Sequence, residues 1–310
     1  MASSENSAQA TPSWLELPRE ITALILHKLG TIEMLTSAQK VCTTWRRVCQ
    51  DVTMWRVIDM RNLGDLWATP YDLVKMCRHA VDRSKGQLED INIEYFGTDD
   101  LLTYISQSSN QLRRLRIVFC YNITCEGLVE AIKSFPLLEE LHLYYIYIDK
   151  EAIEVIGRSC PLLKSFKLNN QGSLHPGVEC DLEALAVAKN MPNLHHLQLF
   201  GNKMTNEGLQ AILDGCPLLE SLDLRQCFNV SLGGNLGRLC SQRIKDLRCP
   251  LDSTDDYGFD AEIDDWESFD EDNLSGISDI DMVSDYDNYL EFSDGSGASY
   301  HEDEEDVFIG

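Results

Sequence analysis

Leu112-Arg-Arg-Leu115-Arg-Ile117 and Leu138-Glu-Glu-Leu141-His-Leu143 are the same phrase, an aliphatic residue at the first, fourth and sixth places with polar residues between. Leu88–Ile91–Ile93 precedes them. Leu163–Phe166–Leu168, Leu194–Leu197–Leu199, Leu219–Leu222–Leu224 and Ile244–Leu247–Cys249 follow, with successive starts 24, 26, 25, 31, 25 and 25 residues apart. Alternation over the last half of the phrase is the pattern of a strand with one buried face, and a period in the twenties is that of a leucine-rich-repeat solenoid. One such unit cannot bury its own apolar side, so neighbours must stack into a continuous core. The spacing therefore predicts an extended surface of about seven units, and surfaces of that kind usually bind other proteins.

The rest of each unit agrees with this reading. Cys120, Asn202 and Cys227 lie eight residues after their phrase starts, where a small hydrogen-bonding side chain suits a turn beneath the neighbouring backbone. Thr124 and Thr205 are expected to N-cap the helices that follow. Glu126-Gly-Leu-Val-Glu-Ala-Ile132 and Glu207-Gly-Leu-Gln-Ala-Ile-Leu213 are near copies of one amphipathic helix. Phe135-Pro136, Cys160-Pro161, Met191-Pro192 and Cys216-Pro217 should stop these helices, because a residue before proline avoids the α region. Asn110-Gln111 marks the equivalent place without proline. The fourth unit is longer by an insertion within Asn170 to Cys180. Upstream, Trp55-Arg-Val-Ile58-Asp-Met60 fits the phrase as an entry strand, and Pro70 to Arg83 reads as a helix.

Charge is divided unevenly. The segment 251–310 carries 22 of the 51 acidic residues and none of the 26 Lys and Arg, while the preceding 250 residues are close to neutral. A polyanionic end argues against nucleic acid or an anionic membrane as its partner. No apolar run approaches the roughly 20 residues of a membrane span. Residues 1–12 read as a flexible leader without a secretory pattern. Eleven cysteines without any Cys-x-x-Cys then suggest free thiols in cytosol or nucleus.

Between leader and repeats, residues 13–57 read as helices. Trp14, Leu15, Leu17, Ile21, Leu24, Ile25, Leu26 and Leu29 recur at helical spacing up to Gly30. Met34, Leu35, Ala38, Val41, Cys42, Trp45 and Val48 are expected on one face of a second run. A block this small cannot cover so much apolar surface internally, so it should lean on the repeats or on a partner. Taken only as an N-terminal lid for the solenoid, it would account for Trp55 and Val57, but not for the Leu17-Pro18-Arg-Glu20 and Val41-Cys42-Thr-Thr-Trp45-Arg46 clusters.

Those two clusters, with Ile21, Leu24, Leu29 and Trp55, resemble the F-box, and the adjoining repeats are similar to the cysteine-containing repeats of F-box/leucine-rich-repeat proteins, the plant members above all. The resemblance implies an α/β chain: a three-helix F-box over 13–57, a right-handed leucine-rich-repeat solenoid over 55–250 and an acidic tail over 251–310. It further implies a non-catalytic, substrate-recognition subunit of an SCF-type ubiquitin ligase. There the F-box docks on a Skp-type adaptor, which joins a cullin and its RING subunit, while the repeats hold a protein substrate. Leu17, Pro18, Ile21, Leu24, Leu29, Val41 and Trp45 would form or support the adaptor-binding surface. Ile32–Glu33 stands where many members have an Asp-Pro-like turn. The competing function is a repeat scaffold that does not direct degradation.

Catalysis has little support. The seven histidines are scattered, no cysteine or serine sits in the Gly-rich setting of a nucleophile elbow, and no paired Cys/His spacing suits a metal. No cofactor is expected. Repeat-strand residues between the inward leucines should face the concave side, which nominates Arg116, Val118, His142, Tyr144, Lys167, Gln198, Phe200 and Arg225 for substrate binding, with Tyr144 and Phe200 as exposed aromatics. A purely structural role, in which Tyr144, Tyr145 and Tyr147 stack on Phe119 and Tyr121, is the alternative. The tail has three readings: a solvating disordered extension; a target of acid-directed kinases at Ser253, Ser268, Ser278, Ser284 and Ser299; or an acidic–aromatic segment that folds back on the concave face and competes with substrate.

Overall fold

A computed structural model describes residues 17–62, 70–170, 178–259 and 261. The chain begins with helix α1 (Arg19–Leu29), whose first turn is oriented by Thr22, its N–H and hydroxyl both bonded to the Pro18 carbonyl. Gly30, at φ 82°, ends it in a conformation few other residues accept. A second helical run follows in pieces: α2 (Thr31–Glu33), a π turn over Met34–Ala38, and α3 (Gln39–Val41). It breaks at Cys42, which is extended and caps α4 (Thr43–Cys49) by accepting the Trp45 N–H on sulfur at 3.4 Å. The single apolar face expected from Met34 to Val48 is therefore divided. Met34, Leu35, Ala38 and Val48 are buried, Trp45 is half-buried, and Val41 turns outward.

Each aliphatic phrase then forms a strand. They are β1 (Val57–Met60), β2 (Asp90–Glu94), β3 (Arg114–Val118), β4 (Glu140–Tyr144), β5 (Ser165–Asn169), β6 (His196–Gln198), β7 (Ser221–Asp223) and β8 (Asp246–Arg248). All pair in parallel and in sequence order. The register sets phrase on phrase: Ile58 meets Ile91, Ile91 meets Leu115, and the row continues through Leu141, Phe166, Leu197 and Leu222 to Leu247. Strand-to-strand returns run through helices α5 (Leu73–Ser84), α6 (Asp99–Ser108), α7 (Cys125–Ile132), α8 (Lys150–Ser159), α9 (Leu182–Asn190), α10 (Asn206–Gly215) and α11 (Gly234–Arg243). The expected caps are present: Thr124 accepts from Gly127 and Thr205 from Glu207. Every helix before an X-Pro pair has ended by the residue preceding it. Most of the insertion in the fourth unit, 171–177, and the tail aromatics from Trp266 to Phe308 lie outside the described residues.

The turns after β2, β3, β4, β6 and β7 share one geometry. Tyr95, Phe119, Tyr145, Gly201 and Gln226, each seven residues after its phrase start, have φ between 51° and 73°. That left-handed step aims each N–H at the next unit: Tyr95 to the Val118 carbonyl, Phe119 to Tyr144, Tyr145 to Asn169, Gly201 to Arg225 and Gln226 to Pro250, at 2.8 to 3.0 Å. Four of the five are not glycine, so the cost of the conformation is met by these bonds and by ring stacking. Tyr95 lies on Phe119 at 5.3 Å and Phe119 on Tyr145 at 4.3 Å, the rings nearly parallel.

Beneath the turns, cysteine thiols donate to the preceding unit's backbone. Cys120 reaches the Ile93 carbonyl at 3.7 Å and Cys227 the Leu199 carbonyl at 2.9 Å; before the prolines, Cys160 and Cys216 reach Phe135 and Met191. Burial pushes the Cys120 and Cys216 thiols up to about 11 and those of Cys160 and Cys227 up to about 12, so all four stay protonated donors at neutral pH. Asn202, at the third such place, instead donates to the Glu183 carboxylate and accepts from the Met204 N–H. No helix among the described residues is long and apolar enough to cross a membrane.

Two glycines reveal how tightly unit meets unit. Gly208 opens α10 against the Asp181 carboxylate, which accepts the Gly208 N–H at 3.1 Å as well as the Thr205 N–H and hydroxyl. A Cβ at Gly208 would lie 2.3 Å from that carboxylate and 3.0 Å from the Ala184 Cβ. Gly127 lies likewise against Asp99, which accepts the Thr124 N–H and hydroxyl, although the Gly127 N–H goes to the Thr124 hydroxyl instead. Gly208→Ala should destabilise the chain by about 1–3 kcal/mol, read as a lower urea midpoint with an unchanged slope.

Candidate functional site

Two surfaces stand out, one on the helical head and one on the sheet. On the head, the buried side of α1 is narrow: Thr22 and Leu26 face the core, with Ala23 packed beside them. The opposite stripe is apolar as well. Ile21, Leu24 and Leu29 are 43%, 60% and 42% exposed, Val41 is 62% exposed, and Pro18 is open while Leu17 is half-covered. Pro18, Ile21 and Leu24 recur every third residue, and the half-buried Ile25 leads on to Leu29 one turn later, so the stripe runs along α1. Its rigidity comes from the repeats. The Asp59 N–H donates to the Thr31 hydroxyl at 3.0 Å, Trp55 is fully buried with its indole N–H on the Cys49 carbonyl at 2.8 Å, and the Arg83 guanidinium of α5 lies over that indole. Head and solenoid share one apolar core. The block is thus a lid for the first repeat on one side and an uncovered apolar face on the other.

The head residues 14–61 match the F-box-like family model, and residues 172–257 match the model described as FBD-associated F-box protein At5g56370, LRR repeats. From Arabidopsis thaliana, F-box protein SKIP19 is 50% identical over 96% of this chain and 97% of its own length. Putative F-box/LRR-repeat protein 23 is 54% identical over 78% of this chain and 54% of its own length, and putative F-box/LRR-repeat protein 22 is 48% identical over 86% and 88%. The chain belongs to the F-box/leucine-rich-repeat family.

The concave sheet face of this F-box/leucine-rich-repeat protein carries the second surface. Its middle is a polar cleft of about 380 Å³ whose lining includes Glu140, His142, Lys167, Gln198, Asp223 and Arg225. Of the residues expected to bind substrate, His142, Lys167, Gln198 and Arg225 meet there, with Arg116 on the flank towards β2. Burial, aided by the positive charges of Lys167, Arg116 and His196, lowers the His142 imidazole to about 3; the Glu140 carboxylate at 3.9 Å does not offset this. His142 is therefore neutral at physiological pH, with Nε2 3.1 Å from the Ser165 hydroxyl. Burial also depresses the Lys167 ammonium.

The expectation of exposed Tyr144 and Phe200 does not hold: they are 5% and 0% exposed. Nor does the chain leave the surface after Pro250, where the acidic tail was expected to begin. The stretch through Phe259 crosses back over the strand ends, so the concave site is partly filled by the protein itself. Tyr257 stacks on Phe200 with centroids 4.1 Å apart and planes 4° apart, and Phe259 packs against Tyr144 at 4.8 Å and edge-on to Phe119 at 5.7 Å. Arg116 lies over both Tyr144 and Phe259. Arg225 is held by Asp223 at 2.8 Å and pairs with Asp256, which also takes Arg248 at 3.0 Å. The Arg225 hydrogen bond holds the Asp256 carboxyl below its usual range, while burial raises the Tyr257 phenol. Val118 is buried in the same row. Phe119 does stack on Tyr145, as the structural alternative anticipated, but Tyr144 is engaged by Phe259 instead.

Sequence reasoning passed over Tyr257, Phe259 and Gln226 as site residues, and it set Asn169 on the concave side without naming it for substrate binding. Gln226 could have been found from its offset from the repeat phrase; the two aromatics had only their place in an acidic stretch as a signal. Among the described residues, no group of three or more His, Cys, Asp or Glu is placed to hold a metal.

The His142 environment gives a pH test. Its folded pKa is depressed, so between about 6.5 and about 3 the unfolded chain binds a proton the folded chain does not, and stability falls as pH falls through that window. His142→Gln should lose less thermal stability than the parent between pH 6.5 and 4, read by circular-dichroism melting at both values.

Proposed function

We propose that this F-box/leucine-rich-repeat protein is the substrate-recognition subunit of an SCF-type ubiquitin ligase, acting in nucleus and/or cytoplasm. Residues 13–57 form a three-helix F-box that binds a Skp-type adaptor and through it a cullin and RING subunit. Residues 55–250 form a right-handed solenoid whose concave face takes a protein substrate through Arg116, His142, Lys167, Gln198 and Arg225, which line its clefts; Tyr144 and Phe200 join them only where the covering Phe259 and Tyr257 give way, and the buried Val118 supports the row. The observation that carries the reading is the uncovered apolar stripe of Pro18, Ile21, Leu24, Leu29 and Val41 on a head already anchored by its other side. Fully burying one such side chain is worth roughly 1.5–3 kcal/mol, so a partner covering the stripe recovers several kcal/mol. Leu17 and the half-buried Trp45 support that surface.

The chain itself performs no chemistry in this reading. Its contribution is proximity: holding a substrate beside a ubiquitin-charged enzyme replaces a dilute encounter by a high effective concentration.

Leu17→Ala combined with Pro18→Ala should lower adaptor co-purification at least about tenfold, equivalent to ~1.4 kcal/mol, with an unchanged circular-dichroism spectrum. Leu24→Glu, at an exposed position, should do the same. Full adaptor recovery by both variants defeats the assignment. Adaptor recovered from the parent without cullin points to a non-degradative scaffold instead.

A further inference from the structure

The concave face ends in a row of side chains, one from each unit, six residues after the phrase start. Tyr144, Asn169, Phe200 and Arg225 are its central members, and all are 5% exposed or less. What covers them is a strap of the chain's own residues, Ser253 to Phe259, continuing to Ala261. The strap adds no strand to the sheet. Its backbone is bonded within itself by the Tyr257 N–H on the Thr254 carbonyl, after a turn in which the Asp252 N–H donates to the Cys249 carbonyl. The sheet reaches its backbone through two side chains, Arg225 to the Ser253 carbonyl at 3.1 Å and Gln226 to the Ala261 carbonyl at 2.6 Å. The remaining attachment is one carboxylate and two rings. Asp256 pairs with Arg225 and Arg248, Tyr257 lies flat on Phe200, and Phe259 sits on Tyr144 beneath the Arg116 guanidinium.

Such contacts are those by which a peptide is recognised, and the fit is imperfect. The Tyr257 hydroxyl faces the Asn169 amide without reaching hydrogen-bond geometry, and the buried Arg116 Nε and Gln226 Oε1 also lack partners. Buried polar groups left unpaired weaken an association. A short tether can nevertheless hold a poorly fitting occupant in place, because it supplies a high local concentration.

We propose that this row is a docking groove for an acidic–aromatic peptide segment, an Asp followed directly by one aromatic and two residues further on by another, and that Asp256-Tyr257-Gly258-Phe259 occupies it in cis as a displaceable competitor. Arg225 and Arg248 select the carboxylate, Phe200 the first ring, and Tyr144 with Arg116 the second. A protein carrying the segment exchanges with the strap contact for contact, and it gains by satisfying Asn169 and Gln226. That such a protein is the ligase substrate rests on the function proposed above; the groove and its occupant do not.

The test uses the full chain and a fluorescein-labelled synthetic peptide, Asp-Ser-Thr-Asp-Asp-Tyr-Gly-Phe-Asp-Ala, the sequence of residues 252–261. Fluorescence polarisation compares the parent with the Tyr257→Ala/Phe259→Ala variant, against a scrambled peptide. The variant should bind the peptide at least about tenfold more tightly than the parent, since the parent's groove is filled at high effective concentration. Adding Phe200→Ala to the variant should abolish that gain. Equal binding to parent and variant overturns cis competition, and no binding to a variant that melts like the parent overturns the groove. If the double variant melts early, Asp256→Lys, at an exposed position, replaces it with the same outcomes; a failure of both to bind marks the strap as a structural cap and sinks the proposal. Adaptor co-purification is unchanged in every arm, so this result and that of the Leu17/Pro18 experiment fail independently.

Discussion

A single repeat of this chain has nowhere to put its leucines except against the next repeat. Leu141 has no partner within its own unit; it is buried between Leu115 and Phe166, and every inward residue of the row depends likewise on neighbours. The same dependence governs the backbone. The Glu89, Arg113, Glu139, Lys164, His195 and Glu220 carbonyls each accept two N–H groups from the following unit. Their side chains alternate in sign almost throughout, and Glu139 sits between Arg113 at 2.5 Å and Lys164 at 2.8 Å. These pairs are exposed and contribute little stability, but a slipped or omitted unit would set like charges side by side.

Stacking of this kind leaves open ends and an open face. At the first end, the helical head closes the core: Trp55, Leu26 and Met34 continue the apolar column of Ile58 and Met60. Because that side is committed to the repeats, α1 has only its outer stripe to offer a partner, and the solenoid holds that stripe rigid. At the far end β8 is only partly covered, with Asp246 and Arg248 exposed. Beyond it the chain turns back across the concave face. Both devices follow from one geometric fact: a stack of like units must be finished by something that is not another unit.

The turn geometry orders the concave face. The left-handed residues at the strand ends carry the ladder one bond further and aim the preceding side chains, from Glu94 to Arg225, along one line. Aromatic, amide and guanidinium groups follow one another along that line, from Tyr144 through Asn169 and Phe200 to Arg225. The protein's own Tyr257 and Phe259 meet this line with the geometry of a ligand.

The sequence by itself determined the repeat period, the strand and helix order, the capping threonines, the helix-stopping prolines and the F-box clusters. Each is a local pattern: strand alternation, a hydroxyl three residues from an N–H, a ring that forbids the preceding α conformation. Tertiary structure alone decided the break at Cys42, the outward turn of Val41 and the burial of Tyr144 and Phe200. Those depend on which surface meets which at long separation, as when residue 257 settles on residue 200. Alternation shows that Tyr144 and Phe200 leave the sheet on its concave side; whether water or another part of the chain awaits them there is fixed only when the strap folds back, because no local pattern encodes the contact of segments more than fifty residues apart.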